Sequence, residues 1–286
     1  MRVSKKENVL TIDQCTYIDE KLKHFNMSEC KGASTPETLD KMQKVKNESE
    51  VVSNVNEYRS IVGSLIYAAI STRPDINHAV NICSRYMHQP SQAHVTGAKR
   101  ILRYLYENSR YGLEYRNEYE NENKPKNTVV LEGFCDADWG GDLDDRKSTT
   151  GYCLFLNGCL VSWYSHKQAT VAQSSAEAEL MGATDIVKEI MWMRQILSEM
   201  NYIVETPVIV NIDNQSAMRI AQHDVDHART KHIDIKYHFI RDEISSKRVK
   251  LQWISTQKQK ADIFTKGLTT ELFNKFRSML VKRIEK

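Results

Sequence analysis

The sequence predicts a mixed α/β (α+β) fold: a five-stranded mixed sheet with flanking helices, preceded by a small helical bundle. Three observations predict it. The second half alternates period-two and helical patterns in the order βββ-α-β-α-α-β-α. Within it, Asn157-Gly158 joins two strand patterns, a strong two-residue hairpin signal. From Tyr58 onward the first half carries apolar residues at helical spacing, after a polar stretch from Ser28 to Asn54.

With 286 residues, 41% hydrophobic and 27% charged, the chain has ordinary globular composition and room for one large domain or two modest ones. Residues 117–128 lack aliphatic side chains until Val129 and include a proline, so they read as a linker between domains at 1–116 and 129–286. The six cysteines include no C-x-x-C pair, which fits a reducing compartment. No apolar h-region follows the first residues, so no secretory leader is expected. The longest apolar stretch, Ile61 to Ile70, is about half a membrane span, so no membrane partner is expected.

In the first part, a short strand-like Val9–Ile12 precedes a helical segment from Thr16 to Phe25. Ile61, Leu65, Ala68 and Ala69 share one helix face, and Arg73-Pro74 ends that helix. A second helix carries Ile76, Val80, Cys83 and Met87; a third starts near Ser91 with Ala98, Ile101, Leu102 and Leu105 inward. No carboxylates cluster here. Apolar surface around Ile61–Ile70 is expected to be exposed.

In the second part, VVLEGFCDADW, TTGYCLFLN and CLVSWYSH read as three strands. A long helix spans Ser174 to about Met200, PVIVNI is a fourth strand and NQSAMRIAQ a short helix. A basic helical segment leads to a fifth strand, VKLQWIS, and the chain closes in a helix. Trp163, Trp192 and Trp253 are expected in the core, with Trp139 lining a binding side.

Four carboxylates fall where such a sheet brings strand ends and helix starts together. Asp136 ends the first strand, Asp213 follows the fourth, and Asp262 is expected to open the last helix. On the long helix, Glu179 shares the apolar stripe of Ala176, Ala183 and Ile190, whereas Glu177 shares the wet stripe of Thr184 and Lys188. A carboxylate on a buried stripe needs a cation or partner, which favours Glu179. Strand parity does not separate Asp136 from Asp138. Taken singly, Asp213 reads equally as a helix cap, and Asp262 as an acid at a helix start.

The segments FCDADWGGDLDDRKSTTGY, SSAEAELMGA, NIDNQSA, HARTKHIDIKYHFIRDEI and QKADIFTKGL resemble the ribonuclease H domain of copia-type retrotransposon Pol polyproteins. YRSIVGSLIYAAISTRPDINHAVNICSRYM and AKRILRYLYENSRYGLEY resemble the thumb and connection region after the polymerase palm. The resemblance implies a ribonuclease-H-like fold and metal-dependent endonucleolytic cleavage of RNA in RNA/DNA hybrids. It assigns the metal-binding, catalytic carboxylates to Asp136, Glu179, Asp213 and Asp262, preferring Asp136 to Asp138. It implies two Mg²⁺ ions, with Mn²⁺ as substitute, a 5′-phosphate product, and a hybrid plus other Pol components as partners. It also implies an intracellular place, cytoplasmic in a virus-like particle or nuclear.

Two departures stand out: the loop Ser255–Lys260 lacks the histidine many cellular ribonucleases H carry there, and Gly267 stands where the family usually has proline. No Tyr-x-Asp-Asp hairpin exists; Leu143-Asp144-Asp145 reads as a surface loop, so polymerase activity is not expected. A non-cleaving nucleic-acid clamp is the alternative, and an integrase or transposase fold is disfavoured because Asp262 stands where those carry glutamate.

Net charge is only +3, yet residues 227–286 hold 15 Lys/Arg against 6 Asp/Glu. Arg229, Lys231, His232 and Lys236 are expected to touch phosphates. Ser174, Asn214 and Gln215, beside the carboxylates, are candidate donors to a bound strand. His223, His227, His232 and His238 fall on different helix faces with no cysteine nearby, so zinc is not expected.

Overall fold

The computed structural model describes residues 1–45, 47–116, 125, 127–222 and 231–284, with backbone only at 48 and 231–237. In chain order the first elements are β1 (Arg2–Lys6), β2 (Val9–Asp13), α1 (Cys15–His24), α2 (Val55–Ser71), α3 (Asn77–Ser84), α4 (Gln92–Glu107) and β3 (Tyr111–Arg116). β4 (Thr128–Val129), β5 (Leu131–Asp138), β6 (Thr149–Leu156), β7 (Cys159–Lys167), α5 (Ser175–Glu199) and β8 (Ile203–Val204) follow. Then come β9 (Val208–Ile212), α6 (Gln215–Gln222), α7 (Lys231–Ser245), β10 (Val249–Trp253), α8 (Thr270–Leu280) and β11 (Lys282–Arg283).

These elements form two compact units. One comprises Met1–Arg116, Asp142–Asp145 and Lys266–Lys286; the other comprises Asn117–Gly141 and Arg146–Thr265. The division therefore differs from the expected bounds in three places: 117–128 groups with the second unit, and the short Asp142–Asp145 loop and the closing segment Lys266–Lys286 group with the first.

In the first unit the expected helices are present, and an antiparallel sheet in the order β1-β2-β3-β11 is added to them. α4 starts on a capping box in which the Ser91 side chain takes the backbone N–H of His94 and the His94 ring takes that of Ser91. Ile61, Val62, Leu65, Ala68 and Ala69 of α2 are buried, so the expected exposed apolar surface narrows to Tyr67 and Ile70, with Ile66 half-buried. The helix turns its 3.6-residue stripe inward, so nearby members of one apolar run part ways. Arg73 is fully buried and grips Asp75 through two nitrogens at 2.9 and 2.7 Å, while Tyr104 donates to the same carboxylate at 2.6 Å. Asp142 pairs with Arg85 at 3.0 Å, and the Lys44 amide donates to Asp144, so the Leu143-Asp144-Asp145 string is held as a loop of this unit.

In the second unit the sheet order is β10-β9-β5-β6-β7. β5, β6 and β7 form an antiparallel meander, and β5, β9 and β10 run parallel. This is the predicted five-stranded mixed sheet, and its order suits a ribonuclease-H-like fold. The β6–β7 turn has positive φ at both Asn157 (48°) and Gly158 (78°), as the hairpin signal required. The predicted first strand is divided: β5 joins the main sheet, while β4 pairs in parallel with β8.

α5 begins where Ser174 Oγ accepts the Glu177 amide at 3.2 Å, and ends where Asn201 turns left-handed (φ 63°). Its Leu180, Ile186, Val187 and Ile190 pack with Leu131, Leu154, Val210 and Leu251 of the sheet. Fully buried aliphatic side chains such as Ile186 and Ile190 each contribute about 1.5–3 kcal/mol. This packing holds α5 over β5, and with it the helix's acidic first turns. Among the described residues no helix is long and apolar enough to cross a membrane.

Candidate metal centre

Register decides which acids meet. Phe134 of β5 lies opposite Asn211 of the parallel β9. Two residues further along each strand direction, Asp136 and Asp213 therefore come level. Across the antiparallel β5–β6 pair, Asp136 faces Gly151. A Cβ at Gly151 would lie 2.5 Å from Phe264 Cβ and 2.8 Å from Thr265 Cγ2. The bare glycine lets the 3-10 turn Lys260–Phe264 seat against β5 and β6. That turn carries Asp262, so the last acid sits in a tight turn and not at the start of the closing helix, which begins only at Thr270.

One carboxylate oxygen from each of Asp136, Asp213 and Asp262 lies within 4.8 Å of the others. Asp136 and Asp262 are buried, and Asp213 is half-buried. Glu179 is 5% exposed, and its Oε2 is buried without a hydrogen-bond partner. Burial first, then the charges of Asp136 and Asp213, raise its proton affinity well above the usual carboxylate range. The same surroundings push the Cys135 thiol up, chiefly through burial, so it stays protonated beside the acids. The donors are carboxylate oxygens alone, an arrangement suited to a hard divalent cation that would compensate the crowded charge.

The neighbouring acid Glu177 is buried as well, contrary to its expected wet stripe. Its Oε2 accepts the Gln173 amide at 2.7 Å, so it serves the helix start rather than the acidic cluster. The capping alternative for Asp213 falls away: Asn214 Oδ1 caps α6 by accepting the Ala217 amide at 3.0 Å. Asp213 Oδ2 instead accepts the Thr256 hydroxyl at 2.7 Å.

Three residues near the acids were not singled out from the sequence. Thr265 donates its hydroxyl to Asp136 Oδ2. Gln259, fully buried, donates to the carbonyls of Cys135 (2.9 Å) and Asn211 (3.4 Å) and accepts from the Ala261 amide (3.2 Å). Thr256 completes the set. Only their closeness to Asp262 in the sequence pointed to them. Lys260, in the same segment, places its ammonium 4.3 Å from the ring centres of Phe134 and Phe155, a cation–π seat for the turn.

Of the expected nucleic-acid contacts, Arg229 lies outside the described residues, as do the side chains of Lys231, His232 and Lys236. His223 and His227 also fall outside them. Ser174 and Asn214 cap α5 and α6, and Gln215 is exposed at the start of α6. Trp192 and Trp253 are exposed, which corrects their placement in the core. Trp253 stands at the last residue of β10, its indole N–H on the Asp213 carbonyl at 3.2 Å; Trp139 is also exposed and donates to Ala172 O at 3.0 Å.

No family model matches the chain. It is 38% identical over 277 residues to the retrovirus-related Pol polyprotein from transposon TNT 1-94 of Nicotiana tabacum, covering 95% of this chain and 20% of the relative. It is 37% identical over 271 residues to the Pol polyprotein from transposon RE1 of Arabidopsis thaliana, covering 95% of this chain and 18% of the relative. The chain thus spans about one fifth of the length of these curated relatives. Among solved structures it is similar to a ribonuclease H1 isolated from compost, at 15% identity and a TM-score of 0.34, covering 52% of this chain and 97% of that one.

Proposed function

Since the chain belongs to the retrovirus-related Pol polyproteins of copia-type transposons, we propose that its acidic centre cleaves the RNA strand of RNA/DNA hybrids with divalent cations. The observation that carries this reading is the meeting of Asp136, Asp213 and Asp262 within 4.8 Å beside the buried, unpartnered Oε2 of Glu179. These four carboxylates would hold two Mg²⁺ ions, with Mn²⁺ accepted in their place. Bound there, such ions supply an activated water and stabilise the leaving 3′ oxygen.

The chain's own residues provide the frame. β5 and β9 hold Asp136 and Asp213 side by side near the C-terminal ends of two neighbouring inner strands, and the packed face of α5 brings Glu179 in from the helix layer. Asp213 is half-buried and Gln215 exposed, so a phosphodiester would approach from their side. Asn214 spends its Oδ1 on the α6 cap, leaving its amide N–H groups to donate to a strand. Arg229, Lys231, His232 and Lys236 belong to the basic last sixty residues and are the proposed phosphate contacts. Residues 1–116 are the proposed thumb and connection part, and the place of action is intracellular.

The test is incubation of the purified chain with labelled hybrid and Mg²⁺ or Mn²⁺. Cleavage leaving 5′ phosphates, reduced more than about 100-fold by Asp136→Asn, supports the reading, since ligand loss should exceed the cost of losing an outer-shell partner. Absence of cleavage, or cleavage indifferent to Asp136→Asn, refutes it. Salt-sensitive hybrid binding without cleavage would mark a non-catalytic clamp, a reading to which the histidine-free loop Ser255–Lys260 lends itself.

A further inference from the structure

Thr256, Gln259 and Thr265 lie within one ten-residue segment, and each is bonded to a part of the chain that carries an acid of the centre. Gln259 does so through backbone. Cys135, whose carbonyl it holds, directly precedes Asp136; Asn211 stands two residues before Asp213; Ala261 directly precedes Asp262. One fully buried amide side chain thus fixes the backbone beside all three clustered aspartates. The threonines act on side chains. Thr265, 1% exposed, donates to Asp136 Oδ2 and lies 3.2 Å from the Asp262 carbonyl. Thr256 donates to Asp213 Oδ2 at 2.7 Å, leaving the other oxygen of that carboxylate to a cation.

We propose that these three residues are positioning residues that hold the aspartates in a cation-ready arrangement before any metal arrives. This rests on the reading of the acids as a divalent-cation site. Like charges within 4.8 Å of one another repel and tend to splay apart or take up protons. Hydroxyl donors and a fixed backbone oppose that tendency. A ligand set already in place also loses less freedom when the ion binds. The segment therefore contributes more than Asp262 itself: it is the part that assembles the other two ligands around it.

The experiment is calorimetric titration of the full chain with Mn²⁺ alone, followed by hybrid cleavage at increasing Mn²⁺. Thr265→Val and Gln259→Leu are expected to weaken Mn²⁺ binding about 10–100-fold, the range typical of outer-shell partners. Thr265→Ser, which keeps the hydroxyl, should restore binding to within about threefold by the same reasoning. At saturating Mn²⁺ the KM for hybrid should stay at the wild-type value while the metal requirement rises. Folding is checked by circular dichroism; if Gln259→Leu does not fold, Thr256→Val and Thr265→Val carry the test. Wild-type Mn²⁺ affinity in the folded threonine variants would overturn the proposal while leaving the cation site intact, provided Asp136→Asn abolishes binding. A wild-type chain that binds no Mn²⁺ would overturn both.

Discussion

Glu179 shows what a single buried carboxylate implies for stability. Its usual value is 4.5, and burial with the charges of Asp136 and Asp213 raises it in the fold. The folded chain therefore keeps a proton that the unfolded chain releases, so metal-free stability falls as pH rises from about 4.5 toward the raised value. In the presence of a chelator, Glu179→Gln is expected to melt higher than wild type at neutral pH, with Mg²⁺ closing the gap by stabilising the wild type. His94 has the opposite sign. Burial lowers its value below 6.5, and its Nδ1 accepts the Ser91 amide at 2.8 Å while Nε2–H donates to the Gln43 carbonyl at 2.8 Å. Stability from this ring is complete above pH 6.5 and is lost as the pH falls through the lowered value. Thermal melts between about pH 7.5 and 5 should show that loss, and His94→Gln should flatten it. Glu179 was legible as a buried acid from its helix stripe. The burial of Glu177 was not, because it depends on a bond to the Gln173 backbone that no spacing rule encodes.

At the scale of elements, the 3-10 turn Lys260–Phe264 depends on a residue more than a hundred positions away. Gly151→Val would drive a side chain into Phe264 and the backbone behind it. Overpacking of this kind costs about 1–3 kcal/mol, and here it should also displace Asp262 from Asp136. The expected outcome is a lowered denaturation midpoint together with loss of Mn²⁺ binding; unchanged Mn²⁺ affinity would show that the turn seats elsewhere. The hairpin at Asn157-Gly158 and helix α5 were legible because turn chemistry and capping act locally. β1 was not: its sequence RVSKK has no apolar alternation and lies largely exposed, so its strand character comes from pairing with β2. β5 hid its parity for a different reason, since it is buried on both faces and loses the alternation by which faces are read.

For the molecule as a whole, the closing segment Lys266–Lys286 belongs to the unit formed by the first 116 residues. Arg277 of α8 donates to Asn108 Oδ1 at 2.8 Å, and Phe273 meets Tyr104 edge-on with ring centroids 5.5 Å apart. Tyr104 in turn holds Asp75, the partner of the buried Arg73. Arg73→Met would leave Asp75 buried without its cation, an error that typically costs about 3–5 kcal/mol. Urea denaturation should register it as a lower midpoint, and an unchanged midpoint would contradict the ion pair's structural role. Charge is likewise a property of the whole chain: the total of +3 conceals an excess of nine positive charges in residues 227–286. Hybrid affinity is therefore expected to fall steeply with salt, and Lys236→Ala should make that dependence shallower in a fluorescence anisotropy titration.

By itself the sequence determined the five main strands of the second unit and the helices between them, and its motifs carried the resemblance that named three aspartates the fold brings together. Periodicity, turn residues and caps are written in neighbouring positions, and the motifs stand as continuous strings. Only the tertiary structure decided that Asp262 sits in a tight turn, that Gln259 and two threonines brace the aspartates, and that the last residues return to the first unit. Those features depend on contacts between residues far apart in the chain, and the free energy of such contacts arises from packing and pairing that local pattern does not contain.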